Sequence, residues 1–144
     1  MSPVTPRVSA RSLKTHIATV ELPACAAAVD IVSKPVFVAP ANIVIVSATL
    51  VGEAAAVGQG AAPNISTWTL QRRLGAVIVA LASIVFNAVT VFPAAYTPYS
   101  IGAGLGLGVA IPAGTLICID VDNAGTAQTP ICLVEVEYWI NEDV

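Results

Sequence analysis

The chain has 144 residues, of which 56% are apolar and only 10% charged, and a formal net charge of −3 at pH 7. An average soluble domain is about 25% charged, so little is available here to clothe a surface. High hydropathy with low charge excludes intrinsic disorder, and the mildly acidic balance gives no general attraction to nucleic acid or to an anionic membrane. The length suits one domain, since about 150 residues bury roughly two-thirds of their unfolded surface.

Taken in chain order, residues 1–20 carry Arg7, Arg11 and Lys14 and no acid until Glu21, with Pro3 and Pro6 interrupting them. They show neither helical nor strand periodicity, and no apolar stretch makes them a secretion signal, because Thr15, His16, Thr19 and Glu21 break it. Leu22-Pro23-Ala24-Cys25 lacks the preceding apolar run of a lipoprotein box. The expectation is an extended N-terminal arm over residues 1–30, its bases and His16 poised to lie on a neighbouring subunit. A β body then covers residues 31–144.

From Val36 onward, short apolar runs alternate with Gly, Pro and Asn breaks. The runs predict strands at Val36–Val38, Ile43–Val51, Thr67–Gln71, Ala76–Leu81, Ile84–Phe86, Val89–Phe92, Leu107–Ile111, Thr115–Val121 and Ile131–Ile140. Many short strands and no amphipathic helix predict an all-β, antiparallel sandwich or barrel of jelly-roll type. Leu74 to Phe92 is an uncharged 19-residue run behind Arg72 and Arg73, which raises the possibility of a small membrane protein. Its many β-branched residues, its polar Ser83, Asn87 and Thr90, and Pro93 at its end point instead to a buried pair of strands.

The last strand alternates clearly. Cys132, Val134, Val136, Tyr138 and Ile140 share one face, predicted to be core, while Leu133, Glu135, Glu137 and Trp139 point outward. In the preceding strand Ile117, Ile119 and Val121 point inward, and Leu116, Cys118, Asp120 and Asp122 outward. The nine-residue connection between the two allows a hairpin. Cys118 and Cys132 would then sit on opposite faces, so no disulfide is expected. Three cysteines read as small buried residues of a reducing compartment.

Catalytic patterns are sparse. His16 is the sole histidine, too few for a zinc or cupin-type site or for a placed general base. Asp120-Val121-Asp122-Asn123-Ala124-Gly125 opens like a calcium loop, but Ile131 stands where the bidentate glutamate belongs, so it reads as a turn. Gly102, Gly104, Gly106 and Gly108 lack the spacing and following lysine of a phosphate loop. Glu135 and Glu137, about 7 Å apart on one strand face, do not oppose each other across a cleft as glycosidase carboxylates do. The expectation is a protein that is not an enzyme, with no cofactor and no metal. Candidate partner-binding residues are Arg7, Arg11, Lys14, His16, Arg72, Arg73, Leu133 and Trp139. Too little charge to cover a monomer makes burial against other subunits the central expectation.

The order of Val36-Phe37-Val38-Ala39-Pro40, Thr67-Trp68-Thr69-Leu70-Gln71-Arg72-Arg73, Phe92-Pro93-Ala94, Ile111-Pro112-Ala113-Gly114-Thr115-Leu116 and Asn123-Ala124-Gly125-Thr126-Ala127-Gln128-Thr129-Pro130 before the final strand resembles the jelly-roll head decoration, or cement, proteins of tailed bacteriophages. Thr115 departs from the acid those proteins commonly carry after the turn glycine. The resemblance implies a structural virion protein, made in the host cytoplasm, that binds the outer surface of an icosahedral head. It implies a homo-trimer whose partner is the major capsid protein, reinforcing contacts between capsid subunits. With the basic arm as a strap, deletion of residues 2–20 is expected to weaken capsid binding while the body still folds. The alternative is a receptor- or glycan-binding head-fibre or tail module using Trp68, Tyr96, Tyr99 and Trp139.

Overall fold

In a computed structural model, which describes residues 15–101 and 108–140, two antiparallel sheets pack face to face as a β-sandwich, with no helix among the described residues. The strands are β1 (Thr15–Leu22), β2 (Ile31–Val38), β3 (Ile43–Gly52), β4 (Ser66–Leu74), β5 (Val77–Phe86), β6 (Tyr99–Ser100), β7 (Ala110–Ile111), β8 (Leu116–Asn123) and β9 (Cys132–Ile140). One sheet runs β1-β9-β3-β6, with β7 also on β3; the other runs β2-β8-β4-β5.

Alternation builds the core. Val134 and Val136 of β9 face in with Leu50 and Ala48 of β3, and Ile117, Ile119 and Val121 of β8 face in with Leu70 and Trp68 of β4. Phe86 lies 6.4 Å from Trp68 and 4.9 Å from Phe92, edge-on in both cases. Trp68 satisfies its buried indole N–H by donating to Ser66 Oγ at 3.0 Å. At the other end Tyr138 stacks between Phe37 at 4.7 Å and His16 at 5.3 Å, joining the two sheets.

Several expectations change. The segment assigned to the arm becomes regular structure at Thr15: β1 pairs with β9 over its whole length, and Leu22 is a core residue. Its signal is faint because the outward positions are Thr15, Ile17, Thr19 and Glu21 and the inward Ala18 is small. Cys25 then bridges to Thr129, and Asp30 Oδ1 accepts the Asn123 N–H at 2.8 Å, so the connection to β2 is fastened too. Residues 1–14 lie outside the described residues, as do Gly102, Gly104, Gly106 and Leu107.

The strand predicted at Val89–Phe92 does not form. The Asn87 side chain accepts the N–H groups of Val89 and Thr90, at 2.9 and 2.8 Å, and turns the chain out of the sheet. Ala76–Leu81 and Ile84–Phe86 are one strand, β5, with Leu81 as an extra residue against β4. Of Leu107–Ile111 only Ala110–Ile111 is described as strand. The hairpin that the nine-residue connection allows does not form, because β8 and β9 belong to different sheets. The intervening chain crosses over, turning at Gly125 (φ 60°), where an added Cβ would run into the Asn64 side chain. Asn64 Oδ1 is itself held there by the Thr126 N–H at 3.0 Å.

Two outcomes are expected. Trp68→Ala should lower unfolding free energy by about 3–5 kcal/mol, read as a drop in urea midpoint by circular dichroism. Deleting residues 2–20 should lower thermal stability well below that of a deletion ending at residue 14, because it strips most of β1 from β9; equal melting temperatures would contradict the assignment of β1.

Candidate functional site

Charge scarcity concentrates at one sheet edge. β5 ends its sheet and pairs only with β4, so its outer backbone N–H and C=O groups have no strand partner among the described residues. None of its ten residues is charged. Val77, Ile78, Val79 and Val85 are exposed, at 64, 45, 38 and 37%, with Leu74 at the end of β4 before them and Val89 and Val91 in the loop after. The run from Leu74 to Phe92, expected to be a buried strand pair, is therefore the end of β4, a turn, a partly exposed edge strand and a loop. No helix among the described residues is long and apolar enough to cross a membrane.

Arg72 and Arg73 stand at the end of β4 beside this edge. Arg72 is opposite Val79 on β5 and Ile117 on β8; Arg73 is opposite Ile78 and Leu116. Both are half-buried, and neither has an acid partner among the described residues. Alternation along β4 puts Arg72 on the inward side with Ser66, Trp68 and Leu70. There it lines an open cleft of about 240 Å³ together with Leu74, Val77, Val79, Pro112 and Thr115. Thr115 is buried, and its hydroxyl lacks a hydrogen-bond partner.

The other predicted residues fall elsewhere. Leu133 and Trp139 point outward on β9 as expected, but they belong to the opposite sheet from the arginines. Across that face the rows are Thr15–Trp139–Val44, Ile17–Glu137–Ser47, Thr19–Glu135–Thr49 and Glu21–Leu133–Val51. Leu133 and Trp139 thus stand apart, separated by Glu135 and Glu137, and Trp139 Nε1 donates to Thr15 Oγ1 at 3.1 Å. His16 is stacked on Tyr138 on the inward side of β1. Arg7, Arg11 and Lys14 lie outside the described residues. The aromatic set considered for sugar binding is dispersed as well: Trp68 is a core residue, Tyr99 packs on Phe86 at 5.5 Å, and Tyr96 alone is well exposed.

Among the described residues no three His, Cys, Asp or Glu side chains converge as metal ligands. Asp120 Oδ1 accepts the Ser33 N–H at 2.9 Å, within the β2 irregularity, and Asp30 Oδ1 accepts the Asn123 N–H at the end of β8, so two of the clustered acids hold strand backbone. Desolvation, followed by the nearby Asp30 and Asp120, holds the Asp122 carboxyl above the usual range. The three cysteines are free and buried. Cys118, though on the outward side of β8, is covered between Pro35 and Gln71, its strand neighbours, and burial raises its thiol. Cys132 donates to the Pro130 carbonyl at 3.2 Å, and burial pushes it up to about 12.

Sequence reasoning missed the unpaired edge itself. Apolar residues without alternation signal burial on both faces, and only the strand order reveals that β5 is last in its sheet. Compared with known protein families, curated proteins and solved structures, the chain matches none.

The Cys132 thiol gives a pH prediction. Its folded pKa lies above the unfolded thiol value of about 8.5, so the stability it contributes is complete below that value and is lost as pH rises toward about 12. The slope for this one group is up to about 1.4 kcal/mol per pH unit. Urea unfolding from pH 8 to 11 should show the loss, and Cys132→Ala should flatten it. Native Cys132 should also resist iodoacetamide at pH 8 while the unfolded chain is alkylated.

Proposed function

We propose that this chain is a structural virion protein, not an enzyme: a decoration, or cement, protein on the outer surface of an icosahedral bacteriophage head. The observation that carries the reading is the uncharged, unpaired β5 edge on a protein with 10% charged residues. A free monomer would expose that edge to indiscriminate pairing, whereas a protein that works inside an assembly needs it open.

The strand order supports a jelly-roll body. In β1-β9-β3-β6 and β2-β8-β4-β5, each position of one sheet matches a chain-neighbour in the other: β1 with β2, β9 with β8, β3 with β4, β6 with β5. That is an antiparallel ribbon rolled into two sheets, an architecture used by viral capsid domains and also by lectins and cupins. The dispersed aromatics disfavour the lectin-like use, and the sole histidine of the sequence disfavours the cupin-like use. In this reading the major capsid protein covers the apolar edge, and copies of the chain meet elsewhere as a homo-trimer. The basic N-terminal residues Arg7, Arg11 and Lys14 add charge to the contact.

Stabilisation follows from mass action. A ligand that binds only the assembled shell contributes RT ln(1 + [L]/Kd) at each site, repeated over every site of the head. The test is to mix the purified chain with heads of the phage that encodes it. Co-sedimentation and a higher head-disruption temperature are expected, with Val79→Lys weakening binding at least tenfold. Heads that neither bind the chain nor gain heat resistance would contradict the proposal.

A further inference from the structure

The geometry points to a strand-addition site at the Val77–Ala80 part of β5 that selects an extended partner segment carrying a carboxylate side chain, seated on Arg72. The inference rests on reading this edge as a docking face, but not on a phage shell being the partner.

Backbone comes first. β5 offers an outer row of N–H and C=O groups without strand partners among the described residues, and an extended peptide satisfies such a row by adding a strand. The Leu81 bulge twists the middle of β5 but leaves Val77–Ala80 in continuous register with Leu74–Gln71. The opposite edge of the same sheet is unsuited: β2 carries Lys34, Pro35, two register shifts and Ser33 at φ 47°, the features that blunt an edge.

Side-chain selection follows from strand alternation. A segment laid against β5 directs its side chains to the two faces in phase with β5. Those beside Val77 and Val79 therefore project over the cleft that these residues line with Leu74, Pro112, Thr115 and Arg72. The walls are apolar and the one charged group is the Arg72 guanidinium, without an acid partner among the described residues. A guanidinium fork matches a carboxylate in two parallel hydrogen bonds, and apolar walls strengthen the pair by lowering the local dielectric. The recognised element is thus an acid flanked at alternate positions by small apolar side chains.

The test uses the full chain and two terminally blocked seven-residue peptides of alternating threonine and valine, one with a central glutamate and one with glutamine there. Calorimetric titration should show the glutamate peptide binding at least tenfold more tightly, with amide chemical-shift changes centred on Val77–Ala80. In Arg72→Gln the preference should fall to twofold or less. Equal affinities for the wild-type chain, binding by neither peptide, or shift changes away from β5 would overturn the proposal. So would sedimentation showing that the edge is closed by a second copy that excludes both peptides. The wild-type comparison decides the matter even if Arg72→Gln fails to fold.

Discussion

A backbone edge without charge constrains everything else in this molecule. Each sandwich has four edges, and the other three here are protected in recognisable ways. β1 presents Thr15, Thr19 and Glu21, β2 is broken by Pro35 and bulges, and the β3 edge is capped by the two-residue strands β6 and β7. Among the described edges only β5 is long and uncharged, and its one bulge, at Leu81, leaves the Val77–Ala80 end regular. With so few charged residues in the chain, the described residues offer little to guard a fourth edge, and in the reading proposed above a partner covers it.

The interior explains why the edge can stay open without unfolding. Trp68, Phe86 and Phe92 interlock beneath β4 and β5, and Leu81 and Ala82, successive residues at the bulge, are both buried. The bulge thus anchors the middle of β5 in the core twice over. Its Val77 end, beyond that anchor, projects valines toward solvent and the cleft. Stability and exposure are divided along a single strand, with the buried half near Phe86 holding the exposed half near Val77 in place.

Much of this was legible in the residues and some was not. β9 was plain, since each of its alternate positions lies on the predicted face. The long strands β3, β4 and β8 were located to within a few residues, because β-branched runs bounded by Gly and Pro have few other uses. β1 was hidden because an edge strand with small inward and threonine-rich outward positions loses the alternating signal. The Val89–Phe92 run misled because propensity favours a strand, while the Asn87 side chain satisfies the local amides differently. The Arg72–Arg73 pair stands out in the sequence, but the cleft at Arg72 depends on the register of β4 against β5 and on the β7–β8 turn that carries Pro112 and Thr115. Leu133 and Trp139 were placed on the correct face, yet cross-strand neighbours that no local pattern specifies make that face mixed and polar.

The most direct test of the central claim is amide hydrogen exchange across residues 77–86, in the free chain and in the chain bound to purified heads. A covered edge predicts that outer-row amides of β5 exchange quickly when free and slow at least tenfold on binding, with the smallest change on the face of Glu135 and Glu137. Unchanged exchange along β5 in the bound chain, with protection appearing on that other face instead, would contradict the account.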